Sequence, residues 1–227
     1  MLPVATDEPK QLDCQQLHRD GYVLLRQAVP KAWLPALRGA FDAGVKASHL
    51  WPVPRGVEWR HSQLDLDPTV QAVCRLPEVL AAVGELIGER FFLSQVEGRE
   101  PLAGVGHQQL HRDMAAERPG DSVTALVFLD DFGAHNGATR LVPGSHRPAP
   151  GQQVDLADES HSVTLNGQAG DILVFDVDLL HGGSCNVTGA RRRSMLAGYF
   201  AENLYQAHQQ NIALRGVRMD TSQRFEP

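Results

Sequence analysis

The residues best suited to chemistry in this chain are two imidazoles and a carboxylate. His111 and Asp113 form an H-x-D in QQLHRDM, and His181 closes the apolar run GDILVFDVDLLH. On an extended strand, residues i and i+2 share a face, so His111 and Asp113 can enter one cavity while Arg112 turns away. Two histidines and one carboxylate fill about half the coordination positions of an octahedral metal, the facial set that non-heme iron(II) sites use. Taken alone, an H-x-D is equally compatible with a structural ion pair, and a buried His181 could simply be a core histidine with a hydrogen-bond partner.

The elements that must position these residues fall into two halves. In the first, helices are expected after Asp13 and Pro30 and at Asp67-Pro68 and Leu76-Pro77. Trp33, Leu34, Leu37 and Phe41, then Val79, Leu80, Val83 and Leu86, recur at helical spacing. A short apolar strand, Tyr22 to Leu25, follows Gly21, and Trp51-Pro52-Val53-Pro54 reads as a loop. From Phe91 the pattern changes to short β-rich runs: FFLSQVEG, VTALVFLDDF, ATRLVP, HSVTLNG, DILVFDV and RSMLAGYF, separated by Gly, Pro, Asn and Asp. Helices followed by many short strands predict a mainly β protein with flanking helices. The expected organisation is one domain over 1–227: a helical part at about 12–90, a β core at about 91–202 and a tail at 203–227 that can supply one more helix.

Composition narrows the function. The chain has 27 acidic and 21 basic residues among 227, a formal charge of −6. The one basic cluster, Arg191-Arg192-Arg193, is short and embedded in apolar sequence, so neither nucleic acid nor a membrane surface is expected as partner. No apolar run reaches the ~20 residues of a membrane span, and the N-terminus lacks a signal-peptide core. Three widely spaced cysteines suit free thiols in a reducing compartment. The expected setting is the cytoplasm.

Three motifs together give the chain a family resemblance. Q-x-x-H-x-D (Gln108 to Asp113), FLDDFGAHNGATRLVPGSHRP and GDILVFDVDLLHGGSCNVTGARRR resemble the phytanoyl-CoA dioxygenase family of Fe(II)- and 2-oxoglutarate-dependent oxygenases, as does the opening DGYVLLRQAVP. The resemblance implies a double-stranded β-helix, a jelly-roll core of the cupin type. It implies His111, Asp113 and His181 as iron ligands, with Fe(II), 2-oxoglutarate and O2 as cofactor and cosubstrates. Arg192, at the family's usual separation from the distal histidine, is implied as the anchor for the far carboxylate of 2-oxoglutarate, a role suited to a planar guanidinium. Arg191 and Arg193 then face the opposite way, towards solvent. Gln108 and Thr139 are implied as further cosubstrate contacts, although strict alternation would favour Gln109 unless the chain bends at Gly104 to Gly106. Where many relatives have serine two residues after the distal histidine, this chain has Gly183.

The remaining candidates are bland by comparison. His107, His135 and His146 sit in loop-like sequence and are expected in turns or at the surface. Asp130, Asp131 and Asn136-Gly137 are expected to shape loops. Trp51, Trp59 and Met114 are candidates for a substrate pocket, with core filling the default. The carboxylate at Asp113 disfavours halogenation, since halogenases of this class have a small residue there. The function expected is an oxygenase that hydroxylates a small, free metabolite and releases succinate and CO2. The rivals are a non-catalytic 2-oxoglutarate or metal sensor on the same barrel and a cupin-like metalloenzyme that does not use 2-oxoglutarate.

Overall fold

A computed structural model describes residues 12–113, 120–148 and 155–227. Met114 therefore lies outside the described residues. The helices expected in the first half are present. Cys14–Asp20 (α1) is capped by Asp13, whose carboxylate accepts from the Gln16 amide. Leu34–Gly44 (α2) follows Pro30, Pro68–Val73 (α3) is capped by Asp67, and Pro77–Ile87 (α4) begins on its proline. Caps of this kind stabilise a helix start by about 1 kcal/mol.

Strands also occupy this half, in greater number than the helical reading allowed. Tyr22–Leu25 (β1) was expected; Val45–Lys46 (β2) and Trp59–Ser62 (β3) were not. Both are short and polar, WRHS and VK, and carry no apolar alternation for a sequence to display. They form because a neighbouring strand edge accepts them. Phe91–Pro101 (β4), Ser122–Phe128 (β5), Thr139–Leu141 (β6), Val163–Thr164 (β7), Ile172–Asp176 (β8), His181–Gly183 (β9) and Ser194–Ala201 (β10) complete the set. The tail forms Tyr205–Arg215 (α5), which packs against β4.

The strands make two antiparallel sheets. The larger has the order β1-β8-β5-β10-β4-β3-β2 and the smaller β7-β6-β9. Alternation along the central strands sorts their side chains into two cores. Val123, Ala125 and Val127 of β5, with Ile172 and Val174 of β8 and Met195, Ala197 and Tyr199 of β10, pack against the helices. Leu126, Phe128, Leu173 and Phe175 face the smaller sheet, where they meet Phe132, Ala138, Leu141, Leu165 and Leu179. Two facing antiparallel sheets with helices on the outer face of the larger one are the jelly-roll expected. The functional side chains line the space between the sheets.

Candidate metal centre

His111 is not part of a regular strand. It makes an isolated antiparallel bridge to His181, with hydrogen bonds of 3.0 Å in both directions, and Asp113 follows in a bend whose amide donates to Val177 O at 3.3 Å. The side-chain alternation survives all the same. Arg112 turns away and donates to the carbonyls of Asp178 and Ser145 at 2.7 and 2.8 Å, which fastens the segment from behind. His111, Asp113 and His181 meet with their ligand atoms within 4.8 Å of one another.

The hydrogen bonds behind the imidazoles fix what they offer in front. His111 Nδ1 lies 2.9 Å from Gln109 O, and His181 Nδ1 lies 2.8 Å from Leu179 O. A carbonyl can only accept, so each Nδ1 carries its proton, and in the neutral ring Nε2 presents a bare lone pair. Those two Nε2 atoms face the Asp113 carboxylate at 3.4 and 3.5 Å. Three acceptors thus converge on one point, an arrangement that a shared cation satisfies. Where no cation takes up those lone pairs, hydrogen bonds donated by the His111 and His181 rings outweigh the burial of Asp113 and hold its carboxyl well below the usual carboxylate range. The Asp113 contact in turn outweighs burial at His111 and pushes that imidazole up. The donor set fits Fe(II): two nitrogens and one oxygen on one side, with the other side open to a cleft.

The cleft opens to solvent and is lined by, among others, Gln108, Thr139, Arg192, Trp59 and Arg99. Arg192 precedes β10, shares its inner face with Ser194 and Leu196, and is only 3 % exposed. Its guanidinium is wedged between the rings of Phe132 (4.4 Å) and Trp59 (5.5 Å). Its hydrogen bonds go to Gly137 O, from Nε at 2.7 Å and from Nη2, and from Nη1 to Ser194 Oγ at 3.4 Å. No carboxylate among the described residues pairs with it. Burial pushes its pKa down to about 9. A buried cation that no described carboxylate contacts, opening on the cleft, fits the far carboxylate of a dicarboxylic acid.

Arg191 and Arg193 do face the other way, but one expectation about them fails. Arg193 is not solvent-facing: it is 9 % exposed, binds Asp130 through Nε and Nη2 at 2.8 Å each, and reaches Asp42 at 2.9 Å. Arg191 bridges Asp42 and Glu100. Asp42 of α2 and Asp130, in the loop after β5, are the acids that bury Arg193, and strand parity carries no information about them.

Gln108, rather than Gln109, lines the cleft. The chain bends at Gly104 and Gly106, whose φ values of +79° and +92° are ones that residues with a Cβ rarely adopt. Gln108 Oε1 accepts from Gly183 N at 3.1 Å. Thr139 stands opposite Gly183 in the β6–β9 pairing, buried and on the cleft wall. Gly183 is tightly enclosed: a Cβ there would lie 2.9 Å from Gly106 O and 3.2 Å from Gln108 Oε1. The serine of many relatives has no room here, and Gln108 fills the adjoining space.

Among the other candidates, Trp59 is on the cleft wall, whereas Trp51 lies in the core under the cations of Arg55 and Lys46. His107 and His135 are exposed, as expected. His146 sits in a turn, as expected, but not at the surface; it is 2 % exposed and packs on Gly21. Asp130, Asp131 and Asn136 accept loop and side-chain hydrogen bonds as expected. Arg99, on the cleft wall, is in none of the sequence motifs. The signal available was charge at alternate positions, Glu97 and Arg99, within a long central strand.

A jelly-roll whose sheets converge on two histidines and a carboxylate is the architecture of 2-oxoglutarate oxygenases, and relatives agree. Residues 17–194 match the family model for phytanoyl-CoA dioxygenase (PhyH), and the chain belongs to that family. A Fe(II)/2-oxoglutarate-dependent dioxygenase from Aspergillus novofumigatus, nvfF, is 34% identical over 127 residues, 52% of this chain and 41% of that protein. The dioxygenase af480 from Aspergillus fumigatus is 26% identical over 191 residues, 74% of this chain and 62% of that protein. The chain thus spans less than two thirds of either relative. Among solved structures, the non-heme alpha ketoglutarate dependent carbocyclase SnoK from nogalamycin biosynthesis superposes with a TM-score of 0.70 at 17% identity, covering 100% of this chain and 97% of that one. The epimerase SnoN of the same biosynthesis gives 0.66 at 23% identity, covering 83% and 81%. At these identities the likeness is one of fold. No helix among the described residues is long and apolar enough to cross a membrane.

Proposed function

We propose that this chain is an Fe(II)- and 2-oxoglutarate-dependent dioxygenase that hydroxylates a small-molecule metabolite, acting as one catalytic domain. The observation that carries this reading is the convergence of two Nδ1-anchored imidazoles and Asp113 beside a buried, unpaired Arg192. Each half would be unfavourable alone. The first needs a cation and the second an anion, and an iron-bound dicarboxylate supplies both.

His111, Asp113 and His181 would hold the metal. Arg192 would pair with the far carboxylate of 2-oxoglutarate, with Gln108 and Thr139 as polar contacts along the wall. When bound, iron and 2-oxoglutarate supply the oxidation, in which O2 yields succinate, CO2 and one hydroxyl on the substrate. The chain's own part is placement and exclusion of water. Gln109 O and Leu179 O keep both rings in the metal-binding tautomer, Phe175 holds the His181 ring edge-on at 5.0 Å, and Trp59 and Phe132 shield Arg192. Leu126, Leu196 and Arg99 also line the cleft. This reading concerns soluble chemistry with no nucleic acid or membrane partner, and a cytoplasmic setting accords with it.

The test is succinate formation by the purified protein with Fe(II), 2-oxoglutarate and O2, beside His111→Ala, Asp113→Ala and His181→Ala. Each variant should lose metal binding and turnover while remaining folded, since the two cores do not involve the metal. A carboxylate at position 113 also leaves no ligand site for chloride, so added chloride should not appear in the product. Wild-type succinate yields from all three variants would refute the assignment.

A further inference from the structure

The inner face of the larger sheet is chemically divided. On β5 and β8 it carries Leu126, Phe128, Leu173 and Phe175, which belong to the apolar core between the sheets. On β4 the same face carries Glu97 and Arg99, and β3 places His61 opposite Arg99. Glu97 is 8 % exposed and has three cationic or protonatable neighbours. His61 Nδ1 lies at 2.7 Å, Arg55 Nη2 at 2.9 Å and Arg99 Nε at 3.3 Å. Burial opposes its charge, but His61, Arg99 and Arg55 together hold the carboxyl at about 2. Two guanidinium groups share this one carboxylate, so the wall keeps a net positive charge.

That charge is delivered to the cleft at one place. Glu97 grips Arg99 by Nε alone, and no described residue is hydrogen-bonded to its two terminal nitrogens. The side chain lines the cleft and remains 39 % exposed, whereas Arg192 is 3 % exposed. The charges of the proposed cosubstrate complex are already balanced without it. The metal's two charges and the one on Arg192 offset those of Asp113 and the two carboxylates of 2-oxoglutarate. An extra cation on the solvent side of such a cleft is therefore free to meet the second molecule that enters.

We propose that Arg99 receives a carboxylate of the primary substrate, so that this protein acts on a small organic acid, with Glu97, His61 and Arg55 bracing the guanidinium from behind. The inference rests on the oxygenase reading above and adds the substrate class. Arg99 offers its terminal nitrogens as a planar pair, the geometry in which guanidinium and carboxylate make two parallel hydrogen bonds.

The experiment uses the full chain loaded with Fe(II) and saturating 2-oxoglutarate without O2. Benzoate, hexanoate and N-acetylglycine are each titrated against their primary amides, and binding is read from the visible absorption of the iron–2-oxoglutarate complex. At least one acid should bind about tenfold or more tightly than its amide, the difference expected for a charge-assisted pair. Arg99→Gln should abolish that preference and Arg99→Lys retain part of it. The dissociation constant for 2-oxoglutarate itself should stay within about threefold in Arg99→Gln, well short of the loss that removing its charged partner would bring. Equal binding of every acid and amide, or a preference that persists in Arg99→Gln, would overturn the proposal. A larger loss of 2-oxoglutarate affinity in Arg99→Gln would overturn it too, by assigning Arg99 to the cosubstrate. Failure of the wild-type protein to bind 2-oxoglutarate at all would refute the oxygenase reading itself, and this inference with it.

Discussion

Replacing Arg192 by methionine separates what the residue does for the fold from what it does for the ligand. Methionine has similar reach and no charge, so it removes a buried cation that has no carboxylate partner. Replacing buried ionic groups by apolar side chains of similar volume ranges from neutral to stabilising by about 1–4 kcal/mol. Against this, Gly137 O loses its donors from Nε and Nη2, at a cost of about 1–3 kcal/mol. The two nearly cancel, so the ligand-free variant should melt close to the wild type. Ligand binding should change far more. An iron-bound dicarboxylate whose far end is left buried without a partner loses about 3–5 kcal/mol, or roughly 100- to several-thousand-fold in affinity. The assay is thermal unfolding with Mn(II) in place of iron, with and without 2-oxoglutarate. At a concentration 100 times its wild-type dissociation constant, the ligand should stabilise the wild type by about 2.7 kcal/mol and the variant by no more than about 0.4 kcal/mol. A variant that kept the full 2-oxoglutarate shift would refute the anchoring role. So would a ligand-free variant destabilised by several kcal/mol, because Arg192 would then be structural.

Three further outcomes follow from the same geometry. Arg193→Ala should destabilise the ligand-free protein by about 2–3 kcal/mol, because the half-buried Asp130 loses its bidentate partner, while Arg191→Ala, at a half-exposed site, should cost well under half as much by denaturant unfolding. Equal losses would show that the burial of Arg193 is immaterial. Asp176 is 1 % exposed, and burial pushes its carboxyl up to about 6. The folded state therefore holds this proton more tightly than the unfolded chain does, and its stability falls as pH rises from about 4 to 6. Asp176→Asn should gain about 1–3 kcal/mol over the wild type at pH 8 and nothing at pH 4, measured by urea melts; an unchanged difference across that range would contradict the sign. Gly183→Ser must push against Gly106 O and Gln108, so 2-oxoglutarate affinity should fall by about tenfold or more through displacement of the cleft wall, as in other overpacked sites; unchanged affinity by titration would show that the wall yields freely.

Two of the three residues of the proposed metal site, His111 and Asp113, were legible in the sequence because their pairing depends on local spacing. His111 and Asp113 are two residues apart, and that alternation survived although only His111 makes a β-bridge. Helix starts were legible for the same reason: Asp13, Asp67 and the prolines at 68 and 77 act on the backbone within a turn of themselves. The face on which Arg192 lies followed from its parity with Ser194 and Leu196. The burial of Arg193, by contrast, depends on Asp42 of α2 and Asp130, residues remote in the chain. β2 and β3 were illegible because their few residues become strands only by adding in turn to the sheet edge, β3 on β4 and β2 on β3. His146 looked like a loop residue and is buried because Gly21, the cap of α1, leaves space for its ring. The choice between Gln108 and Gln109 turned on the backbone at Gly104 and Gly106, which strict alternation does not contain. Sequence by itself thus determined which chemistry the chain can support, since residue type and short-range periodicity decide donor atoms and faces. Tertiary structure alone decided which charges remain unanswered, Arg192 without an acid and Arg99 half-held by Glu97, because electrostatic balance is summed over neighbours that only the folded sheets bring together.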